Sequence, residues 1–142
     1  MVMKIWKLGL VGACVLSLSA CASYNVAGQF EDTGTTFYGT VSVFGTSSGS
    51  INVVTADGRV TCQGRSMVTK RPSLTTMGAQ GSAEAQCSDG TSFKVDFVQG
   101  SSSGGHGQGI SSTGGVVQLF FDTSKTVVKS MLEQQQLDLM VR

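Results

Sequence analysis

Short apolar runs of strand type follow one another through most of this chain, and glycine-bearing tight turns separate them. The runs are Thr36–Phe44, Ser50–Thr55, Arg59–Val68, Gly81–Cys87, Thr91–Val98, Gly107–Ser112 and Val116–Phe121. Asp57-Gly58 and Asp89-Gly90 are hairpin signals, because a type I′ turn needs positive φ at both central positions, and Gly114-Gly115 serves the same geometry. Aligning the three turns exposes a weak internal repeat of strand, tight turn, strand. Consecutive hairpins make a meander, so an all-β fold is expected: a small antiparallel sandwich or roll of about seven strands.

Composition agrees with order. The 142 residues fit one domain, with 19 Gly, 1 Pro and only 13% charged residues. Disordered chains usually combine high net charge with few β-branched or aromatic residues. Here the formal net charge is +1, and Val, Ile and Phe recur regularly.

Period-two alternation assigns faces to the strands. Phe37, Val41 and Val43 share one, Ile51 and Val53 another. Cys62 shares a face with Val60 and Gly64, and Cys87 with Ala83 and Ala85. Phe93, Val95 and Phe97 form the clearest inward set, with Lys94 and Asp96 outward. The small residues of the fourth run and the glycines of the sixth predict close approach of a backbone or of an aromatic ring. After Asp122 the period changes. Val128, Leu132, Gln135 and Leu139 fall on one helical face with Val127 and Met131 beside them, so 124–141 is expected as a helix capped by Thr123 or Ser124. That helix is expected to fold back over an open end of the sheet; a helix projecting toward an envelope protein partner is the alternative.

The start of the chain has different anatomy. Lys4 and Lys7 precede an apolar run from Leu8 to Leu18, followed by small residues, which is the layout of an export signal. The run is shorter than the roughly 18 apolar residues a spanning helix needs. Leu18-Ser19-Ala20-Cys21 resembles the lipobox of bacterial lipoproteins. That resemblance implies cleavage between Ala20 and Cys21, fatty acylation of Cys21, and a membrane partner held through lipid, with no other cofactor. Ala22 stands where inner-membrane lipoproteins commonly carry Asp, which implies the outer membrane, periplasmic face. Residues 1–20 are then a signal peptide, 21–35 a lipidated N-terminus with a flexible tether, and 36–142 the β domain with its helix.

Four cysteines remain to be placed. Cys14 lies in the discarded segment and Cys21 is the acylation site, which leaves Cys62 and Cys87 as an even pair in an oxidising compartment. A bridge between them closes a loop of about 26 residues. A metal pair is the competing reading, but two Cys and one distant His make an incomplete ligand set.

Charge excludes nucleic acid as a partner. Removal of Lys4 and Lys7 from ten basic residues leaves eight against nine acidic ones, scattered, with no basic footprint and no polybasic run for a membrane. Catalytic chemistry finds little support. His106, the one histidine, lies in the glycine-rich stretch Ser101–Gly109, and a general-base role requires a nucleophile and a carboxylate beside it. Gly45–Gly49 spells G-x-S-x-G between two strands, not at the strand-to-helix elbow where that motif works. Gly104–Gly109 lacks the helix and Lys of a phosphate loop. The expected function is therefore a membrane-anchored envelope lipoprotein acting as a non-enzymatic structural or binding module. Its alternatives are a hydrolase of envelope polymers using His106, and a small-ligand or glycan binder with a concave pocket beside the fourth and sixth runs.

Overall fold

The computed structural model describes residues 21–44, 48–70, 78–101 and 103–141. Eight strands run in chain order: β1 (Cys21–Phe30), β2 (Thr35–Phe44), β3 (Ser48–Thr55), β4 (Thr61–Lys70), β5 (Gln80–Cys87), β6 (Ser92–Gln99), β7 (Gly104–Ser111) and β8 (Val116–Asp122), followed by helix α1 (Lys125–Val141). Each strand pairs antiparallel with the next, and β1 closes on β8 through Asn25↔Asp122 to Phe30↔Val117. The result is a closed up-and-down barrel, not an open sandwich or roll, and it has eight strands rather than seven. Closure pairs every strand on both sides, apart from Cys21–Tyr24 at the start of β1, which pairs with β2 alone.

The missing strand is β1. Residues 21–35 were expected to form a tether, yet Cys21–Phe30 pairs with β2 along its whole length. Alternation is present in it. Tyr24, Val26, Gly28 and Phe30 face inward, while Asn25, Ala27 and Gln29 face outward. Two small residues disguise the pattern. Ala27 is fully buried on the outer wall under the helix, and Gly28 lies against the ring of Phe37, where a Cβ would stand 2.6 Å from the carbonyl oxygen of Gln118.

The faces of the other strands follow the sequence reading. Phe37, Ile51, Val53, Cys62, Ala83, Ala85, Phe93 and Val95 are buried inside the barrel with Val117, Leu119 and Phe121. Two aromatic groups fill the interior, as an eight-stranded barrel requires of its side chains. Phe30, Phe37 and Phe93 meet at centroid distances of 5.2 to 5.7 Å toward one end, and Phe121 touches Tyr24 and Phe97 at 5.6 Å toward the other. The outer wall is mostly polar, with Val54, Met67, Val98 and Ile110 exposed among its polar residues. Thr40, Asn52, Gln63, Glu84, Lys94 and Gln108 all stand exposed on it.

The two ends differ. At the turn end, four tight connections each contain one glycine at positive φ: Gly34, Gly58, Gly90 and Gly114. No other residue type has positive φ among the described residues, so Asp57 and Asp89 do not sit in type I′ turns. In Cys87–Gly90 the N–H of Gly90 donates to the carbonyl of Cys87, while the Cys87 N–H donates to the carbonyl of Thr91. This is a type I turn closed by a left-handed glycine, the three-residue alternative to I′. Asp89 accepts from the Thr91 hydroxyl at 2.6 Å and the Thr91 N–H at 3.0 Å, and Asp57 accepts from Thr55 and the Arg59 N–H in the same manner. These donors hold both carboxyls below the usual carboxylate range, the Thr hydroxyl contributing most in each. The opposite end, the rim, is where β1 begins and β8 gives way to α1.

Helix α1 does not cover an open end. Its first turn is capped by Ser124, whose hydroxyl accepts from the Val127 N–H, and Asp122 accepts from the Ser124 N–H at 2.8 Å. From there it runs down the outside of β1 and β8. Val128 and Leu132 are buried against Ala27, with Tyr38 and Phe120 alongside. Leu132 is 1% exposed, so Leu132→Ala is expected to lower unfolding free energy by about 2–3 kcal/mol. Urea denaturation checks this; an unchanged midpoint would mean the helix does not dock.

Candidate functional site

The residues singled out by the sequence do not converge on one place. Ala20 lies outside the described residues, as do residues 45–47 of the Gly45–Gly49 motif. Cys21 is the first residue of β1, in register with Phe44 of β2, at the rim. Cys62 and Cys87 form a disulfide. They are register partners on β4 and β5, and they face the interior near the turn end. The neighbouring pair, Thr61 and Ser88, carries the backbone bond from the Ser88 N–H to the Thr61 carbonyl at 2.8 Å. The cysteines therefore occupy a non-hydrogen-bonded pair, where side chains approach most closely.

His106 stands on the outer wall of β7, between Val98 of β6 and Phe120 of β8, and is exposed. Among the described residues no side-chain hydrogen bond reaches its ring, and no group of three His, Cys, Asp or Glu could hold a metal. The carboxylate nearest the rim, Asp122, is buried and already accepts from Ser103 at 3.0 Å and from the Ser124 backbone. Among the described residues no nucleophile, base and orienting group come together at His106, so the geometry a hydrolase using it requires is not formed among them.

A cleft does lie beside β5 and β7, where a ligand pocket was expected, but on the outer wall. It measures about 260 Å³ and is lined by Glu84, Gln86, Lys94, Ile110 and Ser112 among others. That is smaller than the roughly 300–1,000 Å³ of ordinary ligand sites, and the cleft is open to solvent. Its two charges already face each other, Lys94 Nζ to Glu84 Oε1 at 3.5 Å, both about two-thirds exposed. The small inward residues of β5 and β7 serve packing instead. A Cβ at Gly105 would meet the Phe121 ring at 2.8 Å, and one at Gly81 would overlap the Phe97 ring.

The rim is the part of the molecule where separate features gather. Besides Cys21 it carries Lys70 at the end of β4 and Lys125 in the first turn of α1, beside the buried carboxylate of Asp122, while Lys129 lies one helical turn further down the wall, at the level of Tyr38. Lys129 reaches over the Tyr38 ring at 5.7 Å. Among the described residues the turn end carries Glu31, Asp32, Asp57 and Asp89 against Arg59. The exposed charges at the two ends thus differ in sign, basic at the rim and acidic at the turn end, while Arg65, Glu84, Lys94, Asp96, Glu133 and Asp138 lie on the wall and the helix between them.

No protein-family model matches this sequence, and no curated protein does. Solved structures match the fold. A de novo designed fluorescence-activating β-barrel superposes with a TM-score of 0.53 at 20% identity, covering 72% of this chain and 92% of its own. A redesigned β-barrel, mFAP1, bound to DFHBI, gives 0.56 at 16%, covering 71% and 92%. Another redesigned β-barrel gives 0.55 at 14%, covering 73% and 90%. At such identities the likeness is one of fold.

Proposed function

We propose that this chain is an envelope lipoprotein, exported by residues 1–20 and acylated at Cys21, whose barrel is a non-enzymatic structural or binding module at the periplasmic face of the outer membrane. The observation that carries this reading is the cysteine pairing. The Cys62–Cys87 bridge belongs to an oxidising compartment and uses both cysteines of the barrel interior. It leaves Cys21, at the end of the lipobox-like segment, as the remaining cysteine of an exported chain.

The wall chemistry supports the same reading. A barrel that crosses a membrane turns apolar side chains to lipid and polar ones inward. This barrel has the reverse arrangement, and no described helix is long and apolar enough to cross. A water-facing domain of this kind reaches a membrane through an attached anchor. Two or more acyl chains, at about 0.8 kcal/mol per buried methylene, give stable attachment. The test is the mass of the N-terminal tryptic peptide, which begins at Cys21 and ends at Arg59. It is expected to carry the added mass of acyl chains, and Cys21→Ser is expected to abolish both that mass and sedimentation with membranes. An unmodified thiol on a water-soluble exported chain would overturn the assignment.

A further inference from the structure

We infer that the barrel stands end-on to the bilayer, with its basic rim against anionic lipid headgroups and its acidic turn end directed away. The inference rests on acylation at Cys21 as proposed above, and it adds an orientation that the anchor alone does not dictate. A lipoprotein with a flexible tether tumbles freely over the surface. Here the residue that would bear the lipid is already paired in the barrel wall, Cys21 with Phe44.

The leash is short. Cys21–Tyr24 pairs with β2 alone, whereas β1 is held on both sides from Asn25 onward. Even with those four residues pulled free, they span at most about 13 Å. The barrel is taller, since a ten-residue strand covers about 33 Å along its length and about 25 Å once tilted. The turn end therefore cannot meet the membrane unless the barrel tips over completely.

Charge selects among the orientations the leash permits. Anionic lipid attracts Lys70 and Lys125 at the rim and repels Glu31, Asp32, Asp57 and Asp89 at the turn end. Lying on its side, the barrel would bring part of the acidic end toward the headgroups. Standing on its rim, it holds the two lysines within the screening length and the turn-end carboxylates beyond it; Asp122, which shares the rim, is buried and accepts hydrogen bonds from Ser103 and Ser124.

The experiment places one fluorophore on the lipidated protein in vesicles of phosphatidylethanolamine and phosphatidylglycerol that contain a headgroup-attached quencher. Ser48→Cys labels the rim, in the same row as Phe44 and Cys21, and Arg59→Cys labels the turn end; both positions are exposed. The bridged cysteines are oxidised, so the introduced thiol is the one that reacts. The Ser48 label is expected to lose most of its fluorescence and the Arg59 label to keep nearly all of it. Replacing phosphatidylglycerol by phosphatidylcholine is expected to shrink that difference. Equal quenching of both labels, or stronger quenching at Arg59, would overturn the orientation while leaving the anchor intact. Labelling of the parent chain at Cys21 would instead show that no lipid is attached, and both readings would fall.

Discussion

Gly64→Ala is expected to destabilise the barrel by about 3 kcal/mol, although alanine in a strand interior normally stabilises by about 0.5–1 kcal/mol relative to glycine. The reversal comes from how closely β4 and β5 approach. Gly64 is the register partner of Ala85, and an ideal Cβ built on it overlaps the carbonyl oxygen of Glu84 and stands 2.7 Å from the Ala85 Cα. These are backbone atoms held in a ladder on both sides, so no rotamer change can relieve the overlap. Gly109 repeats the situation between β7 and β6. Its Cβ would overlap the Lys94 carbonyl oxygen and lie 2.6 Å from the Val95 Cα. The two sites share no partner, so their costs should add. The double variant then loses about 6 kcal/mol, which reaches the lower end of the whole stability of a domain. Gly58→Ala is the comparison, a turn glycine at φ 74° with nothing within 4 Å of its Cβ. Backbone strain there costs about 1 kcal/mol. Urea midpoints order the three variants. A raised midpoint for Gly64→Ala would show that the strands do not coil together at this point.

These glycines also explain what could be read from the sequence. Within one strand, period two suffices. It assigned Phe93, Val95 and Phe97 inward and placed both cysteines on interior faces, because those properties depend on neighbours two residues away. Tight turns were legible for the same reason. Their type was not: an Asp-Gly pair fits either a I′ turn or a type I turn with a left-handed glycine, and only the φ of the Asp separates them. Closure lay further out of reach. It depends on the pairing of residues 25–30 with 117–122, nearly a chain length apart, and on a strand whose alternation is masked by Ala27 under a helix and Gly28 under a ring.

The rim had the same kind of invisibility. Lys70 and Lys125 are far apart in sequence, and each alone looks like an ordinary surface charge. Only the up-and-down order, which returns every second connection to the same end, brings them together and sends Asp32, Asp57 and Asp89 to the other. The resemblance to a lipobox needs no fold to be seen, because its residues are contiguous. Among the described residues no site forms around His106, for a complementary reason. Its place on the outer face of β7 follows from the glycines at 105 and 107 facing inward, which marks it as a wall residue rather than part of a site.

Cys62→Ala combined with Cys87→Ala is expected to lower unfolding free energy by about 3.5 kcal/mol, the loop-closure value for a sequence separation of 25. The loss should arise in the unfolded chain. In the barrel β4 is also held by β3, and β5 by β6, so the two strands stay in register without the bond. Removing both sulfurs also avoids leaving a lone reactive thiol inside. For a domain of this size the melting temperature should fall by about 10–15 °C. A second readout separates this mechanism from lost packing. An unfolded chain freed of its crosslink exposes more surface, so the denaturant m-value should rise as the midpoint falls. Lost packing alone would move the midpoint at constant m. In the parent protein Cys62 is 1% exposed and Cys87 9%, so reductant should act only as fast as the barrel opens. Equal midpoints for the parent and the double variant would mean that the bridge contributes nothing to the stability of the fold. The barrel would then stand on its closed ladder and aromatic interior alone.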